Sequence, residues 1–211
     1  MGDISADKLL TTTRSVRKRL DLTRAVPPEV IEECLQIAIQ APSGSNMQKW
    51  HFIVVTDAAK RAQIGAWYRD SFLQYADTGE GDIQERRRHI RLLDSALHLA
   101  EHMYEVPVLV IPCYEGRVED AGQMAQAAHY GSILPAVWSF MMALRARGLG
   151  SAWTTLHLRY ADEVAALLGI PADVTQAALL PVAYYSGSDF RPAGRRPARE
   201  FTYWDSWSAA R

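Results

Sequence analysis

The chain has 211 residues, 48% of them hydrophobic and 22% charged, with 23 basic side chains against 24 acidic ones and a formal charge of -1. That much apolar surface offsets the entropy of ordering and excludes a disordered chain, and the balanced charge excludes a global field that would hold nucleic acid. Two cysteines, Cys34 and Cys113, exclude a disulfide framework or a four-thiolate zinc centre and favour a reducing compartment.

The N-terminal stretch MGDISADKLL lacks a basic region followed by an apolar core, so no signal peptide is expected. No run approaches the ~18 apolar residues of a membrane span. The expected location is the cytoplasm, and the length fits one domain over residues 1–211.

Ser5 is expected to cap a short helix through Thr12, followed by the basic segment Arg14-Ser15-Val16-Arg17-Lys18-Arg19. Pro27 and Pro28 open a helix in which Val30, Ile31, Cys34, Ile37 and Ala38 recur at helical spacing. The turn formers Pro42-Ser43-Gly44-Ser45-Asn46 stop it. His51 to Thr56 reads as a strand, with a helix from about Asp57, a loop at Thr78 to Gly81 and a helix from Asp82 to Tyr104. Val106 to Tyr114 is a continuous apolar run and reads as a buried strand.

Asp120 to Arg147 is a long helical stretch that Pro135 is expected to kink or cut in two. Gly148-Leu149-Gly150 ends it, and Ser151 to Thr154 suits a short strand. Asp162 to Leu168 is a helix closed by Gly169 and Pro171, and Ala177 to Tyr185 is a last buried strand. Gly187 to Arg211 shows no clear period and carries Trp204 and Trp207. Such a tail suits wrapping around another subunit. Strands alternate with helices, and the helices outweigh them, so the class is mixed α and β.

Four groups of residues have chemical potential. Arg14, Ser15 and Arg17 at one end of the chain and Arg195 and Arg196 at the other suit a phosphate clamp, because the guanidinium fork matches a phosphoryl group. Charge spacing alone favours solvated faces. Ser43, Ser45, Asn46 and Gln48 offer donors and acceptors for a polar planar ligand, or simply make a well-capped loop. Gly148 and Gly150 let a backbone approach something flat, or only stop a helix. They make no dinucleotide fingerprint, since the third glycine is missing and a helix precedes them.

His98-Leu99-Ala100-Glu101-His102 matches a zinc pattern, but no third ligand can be named, and two ordinary histidines are the simpler reading. Arg86-Arg87-Arg88 with Arg91 is flanked by Asp82, Glu85 and Asp94, which favours a solvated helix face over an RNA site.

The combination resembles the nitroreductase family of FMN-dependent oxidoreductases, from about Leu9 to Trp207. The resemblance is carried by Thr13-Arg14-Ser15-Val16-Arg17, by Ala-Pro-Ser-Gly-Ser-Asn-Met-Gln-Lys-Trp from Ala41, by Gly-Leu-Gly-Ser-Ala-Trp from Gly148, by Leu180-Pro181-Val182-Ala183 and by Arg195-Arg196-Pro197. It implies an α+β nitroreductase-like fold with a central, mainly antiparallel sheet flanked by helices. It also implies an intertwined homodimer whose C-terminal tail is exchanged onto the partner. FMN is then held between subunits, with NADH or NADPH as co-substrate and a small electrophilic molecule (nitroaromatic, quinone or similar) as acceptor. Neither nucleic acid nor membrane is an expected partner.

By position, the resemblance assigns the FMN phosphate and ring edge to Arg14, Ser15 and Arg17, with Arg17 as the cation that tunes the flavin. Pro42, Ser43, Gly44 and Asn46 come from the partner chain. Thr154, Thr155 and Leu156 lie along the ring, and Arg195 completes the phosphate clamp. No acid–base pair is implied, because hydride transfer is the cofactor's own chemistry in a two-electron, ping-pong cycle. Two positions depart from the family pattern: Thr13 stands where an arginine is frequent, and Lys49 where a proline precedes the tryptophan. A reductive dehalogenase and a flavin-storage protein of the same fold are the alternative readings.

Overall fold

Apolar periodicity and helix caps set the frame on which the site is built. The computed structural model describes residues 4–76, 83–187 and 190–207. The loop expected at Thr78 to Gly81 lies outside these residues, as do the side chains of the Arg86 to Arg91 patch.

Helix α1 spans Ala6–Thr12, and the Ser5 hydroxyl accepts from the Lys8 amide at 3.3 Å, as the capping expectation requires. Helix α2, Pro28–Ala38, starts on its proline pair and buries Ile31, Cys34 and Ala38. Two long helices follow the first strand, α3 over Ala58–Ala76 and α4 over Ile83–His102. Helix α5, Gln123–Ala146, runs unbroken through Pro135. The helix is not cut in two. The ring removes one hydrogen bond, but Ile133, Ala136, Val137 and Phe140 around it are buried, and that packing holds the helix together. Helix α6, Ala161–Leu168, ends on Gly169 in the left-handed conformation (φ 69°).

The strands are β1 (Trp50–Val55), β2 (Val108–Glu115), β3 (Leu149–Ser151), β4 (Val174–Gln176) and β5 (Leu180–Tyr184). The sheet order is β1-β2-β5-β3 with β4 also beside β2, and every one of these pairs is antiparallel. In β2, Leu109, Ile111 and Cys113 face one core with Ile64, Tyr68 and Phe72 of α3. Val108, Val110 and Tyr114 face a second core with α2 and α5. Cover on both faces is why this strand reads as an unbroken apolar run.

The sequence boundaries shift at two places. The expected strand at Ser151 to Thr154 is β3, which starts two residues earlier and ends three earlier, and the last strand, expected over Ala177 to Tyr185, is the shorter β5, with β4 as a further strand just before that range. Between these, Leu179 turns aside to exchange backbone hydrogen bonds with Thr154 (3.1 and 2.8 Å). That exchange sets the position of the turn described next.

Candidate functional site

Past α1 the backbone is extended, and Ser15 pairs in parallel with Ser151 of β3, the Val16 amide donating to the Ser151 carbonyl at 2.8 Å. The segment is thereby stitched to the sheet. Strand alternation sends Val16 into the core and leaves Ser15 exposed and Arg17 half-buried on the other side. The contact is close: a Cβ on Gly150 would fall 2.9 Å from Val16 Cβ. The flat body that Gly150 admits is therefore this segment of the chain itself. Gly148, at φ 77°, supplies the helix stop. Among the described residues, neither the Arg14 nor the Arg17 guanidinium has a protein hydrogen-bond or ion-pair partner.

Arg17 opens onto a groove of about 300 Å³, whose floor is the turn Trp153-Thr154-Thr155-Leu156. The facing wall is Tyr68, Phe72 and Tyr75 of α3, closed by Leu93 and Ala96 of α4. The two threonines have different tasks. Thr154 is buried, and its hydroxyl donates to the Leu179 carbonyl at 2.7 Å, locking the turn to the sheet. Thr155 is exposed, and its hydroxyl has no protein partner among the described residues. Burial pushes the Tyr68 phenol above its ordinary pKa, opposed by a hydrogen bond with Thr154 and the charge of Arg17.

The loop after α2 sits elsewhere. Gly44 donates its amide to Ser132 Oγ of α5 at 2.9 Å, and Ser43 Oγ accepts from the Gln48 amide at 3.1 Å. Ser45, Asn46 and Gln48 all have φ near 52–53°, a strained conformation for side-chain-bearing residues. Pro42, Gly44 and Asn46 are exposed. Gly44 borders a second cavity of about 300 Å³ with Tyr114, His129 and Ser132, not the Arg17 groove. Arg195 is also outside the groove's lining; it is exposed, and its Nη1 donates to the Gly194 carbonyl at 3.3 Å.

Of the residues singled out from sequence, the chain thus gathers Arg17, Thr154, Thr155 and Leu156 in one groove, with Arg14 and Ser15 on the segment leading to it. Pro42, Ser43, Gly44, Asn46 and Arg195 lie on other surfaces of the same protomer. The sequence places a lid over Trp67 to Glu85 without singling out the aromatic side chains of this wall. Its signal was there: Tyr68, Phe72 and Tyr75 follow the i, i+4, i+7 spacing of one helix face.

The remaining candidates are accounted for locally. The His98 and His102 rings lie 4.5 Å apart, tilted by 43°, and His102 Nδ1 meets Glu105 Oε1 at 2.7 Å. Among the described residues, no three His, Cys, Asp or Glu side chains are grouped to hold a metal ion. Burial pushes the Cys34 and Cys113 thiols up to about 11 and about 12, so neither is poised as a nucleophile. No helix among the described residues is long and apolar enough to cross a membrane.

Comparison with known proteins places this geometry in a family. An NADH dehydrogenase of Thermus thermophilus is 28% identical over 90% of this chain and 91% of its own. A 4-nitrobenzoate reductase of a Nocardioides species is 40% identical over a shorter match, 37% of this chain and 29% of that protein. Among solved structures, an oxidized iodotyrosine deiodinase bound to FMN and 3-iodo-L-tyrosine superposes with a TM-score of 0.71 at 25% identity, over 94% of this chain and 97% of that one. The Nitroreductase family model matches residues 10–184, and the chain belongs to that family.

Proposed function

We propose that the protein is an FMN-dependent oxidoreductase that draws hydride from NADH or NADPH and reduces a nitroaromatic, quinone or similar electrophilic acceptor. The observation that carries this reading is a set of donors beside the aromatic-walled groove, Arg14, Arg17 and the Thr155 hydroxyl, that have no protein partner among the described residues. Two guanidinium groups with no counter-ion among the described residues fit a dianionic phosphate and the electron-rich edge of a flavin. A groove floored by a turn and walled by tyrosine and phenylalanine fits a flat ring. When bound, FMN supplies the redox chemistry, accepting two electrons as hydride and passing them on.

The chain's own residues bind and orient. Arg14 and Ser15 hold the phosphate, Arg17 places positive charge where the reduced ring carries negative charge, and the turn from Thr154 to Leu156 supports the ring. Pro42, Ser43, Gly44 and Asn46 serve the partner subunit's cofactor, and Arg195 completes a clamp across a homodimer. In support, these residues are on surfaces away from the groove, and the tail exposes Phe201, Trp204 and Trp207, the last at 85%. Apolar surface of that extent calls for cover, and a second copy exchanging its tail supplies it. Two buried, unbridged cysteines support a cytoplasmic, reducing location, with the chain acting as one domain.

The test is an absorbance spectrum of the purified protein, followed by anaerobic titration with NADH and NADPH and steady-state turnover with a quinone and a nitroaromatic. Flavin absorbance bleached by reduced nicotinamide and restored by acceptor is the expected result. A colourless protein that binds no added FMN overturns the assignment, and bound FMN without turnover favours storage. The likeness to the deiodinase structure supports a second reading, reductive dehalogenation, which release of iodide from 3-iodo-L-tyrosine would reveal.

A further inference from the structure

Helix α3 carries two chemically distinct faces beside the groove. Tyr68, Phe72 and Tyr75 form the aromatic wall. Trp67, Asp70 and Gln74 occupy a neighbouring face, again at helical spacing, and all three are engaged by Arg159 and Tyr160, the last two residues of the short helical turn Leu156–Tyr160 that continues from the Thr154–Leu156 floor. The Tyr160 hydroxyl donates to Asp70 Oδ2. Arg159 Nη1 donates to Gln74 Oε1 at 2.5 Å. Gln74 Nε2 donates back to Asp70 Oδ2 at 2.6 Å, and the Trp67 and Tyr160 rings stack at 6.1 Å with 17° between planes. Wall and floor are thus fastened together from outside, by pairs 85 and 90 residues apart in sequence.

We infer that Asp70, Gln74, Arg159 and Tyr160 form a clasp that sets the width of the groove and positions the Tyr68–Phe72–Tyr75 wall against a flat aromatic acceptor. The inference rests on the flavin reading above. The clasp residues are not part of the groove's lining and act through the helix they hold; they are positioning residues. Asp70 and Gln74 are exposed, and exposed polar pairs contribute little to global stability, so a network conserving helix placement is what their mutual engagement achieves. Among the described lining residues the groove has one cation, Arg17, and no carboxylate. An acceptor bearing an ammonium group would meet Arg17 there without a counter-charge, so the wall suits neutral or anionic rings.

The experiment compares the holoprotein with Asp70→Ala, Tyr160→Phe, the double variant and the conservative Asp70→Asn, which keeps an acceptor oxygen for Tyr160. Amide hydrogen exchange across 67–76 is expected to quicken about tenfold in both single variants, no further in the double, and hardly at all in Asp70→Asn. KM for 1,4-naphthoquinone is expected to rise about five- to tenfold, while turnover with ferricyanide, which needs no aromatic wall, stays within about twofold. Unchanged exchange in every variant overturns the inference, and so does a parallel loss with both acceptors, the mark of a merely structural role. A colourless protein overturns the flavin reading together with the clasp's role in catalysis, and the spectrum identifies that failure separately from the exchange data.

Discussion

Gly150 lies so close to Val16 that a methyl group on it would sit 2.9 Å from Val16 Cβ and 3.0 Å from both of its γ-methyls. Val16 is 3% exposed and β-branched, so it has neither space nor a second good rotamer to move into. Gly150→Ala is therefore expected to cost about 1–3 kcal/mol and to push the Arg14–Arg17 segment off β3. Thermal melts read the first effect, and flavin retained through gel filtration reads the second. Adding Val16→Ala removes the two γ-methyl contacts but leaves the 2.9 Å Cβ contact, so the double variant is expected to recover only part of the flavin lost in Gly150→Ala. A Gly150→Ala protein with wild-type stability and flavin content would show that the segment's register does not depend on this contact.

The paired threonines separate fold from ligand. Thr154→Val removes a buried hydroxyl from the Leu179 carbonyl, which still accepts from the Thr154 amide; a loss of about 1 kcal/mol is expected. Thr155→Ala removes an exposed hydroxyl with no protein partner, so stability should stay within about 0.5 kcal/mol. The flavin spectrum and potential are expected to move with Thr155→Ala. Urea denaturation alongside anaerobic redox titration distinguishes the two, and the opposite pattern would exchange their assigned roles.

On the proposed flavin reading, Arg17 and Arg195 are expected to make separable contributions. Arg17 borders the groove, so Arg17→Ala removes positive charge near the reduced ring and is expected to make the flavin potential more negative. Arg195 lies away from its own protomer's groove, so Arg195→Ala is expected to weaken FMN binding while sedimentation still reports a dimer. An unchanged potential in the first variant would remove the tuning role. Unchanged FMN affinity in the second would remove Arg195 from the phosphate clamp.

Much of the frame was legible because local signals and tertiary packing agree. Ser5, the Pro27–Pro28 pair and Gly169 mark helix ends that the structure reproduces. The apolar run of β2 announced cover on both faces. Pro135 misled because its local cost is outweighed by burial contributed from distant strands. Strand β4 was hidden because Val174-Thr175-Gln176 has no strong strand pattern; its edge is held by pairing to β2, with Thr175 Oγ1 donating to the Gly116 carbonyl at 2.7 Å. The Gly44–Ser132 bond and the α3 clasp join residues with no sequence proximity, so composition and spacing carry no trace of them. Arg17 and Thr155 were named from pattern; that the first has no protein bond among the described residues and the second shares a turn with the committed Thr154 required the coordinates.

His157, directly after the groove floor, is fully buried, and neither ring nitrogen has a hydrogen-bond partner among the described residues. Burial pushes its pKa down from 6.5 to about 3. The unfolded chain therefore binds more protons than the folded one between those values, and stability must rise with pH across that window. The contribution is complete above about pH 6.5 and is lost as the pH falls toward 3, by up to about 1.4 kcal/mol per unit. His157→Leu removes the titrating group and also removes an imidazole whose N–H and lone pair are both unmet, a burden of about 1–3 kcal/mol. The variant is expected to be at least as stable as wild type at pH 7 and to show a flatter decline of the urea midpoint between pH 6.5 and 4. Parallel pH profiles for the two proteins would mean that His157 does not titrate on unfolding, and a marked loss of stability at pH 7 would mean that its ring nitrogens have partners after all.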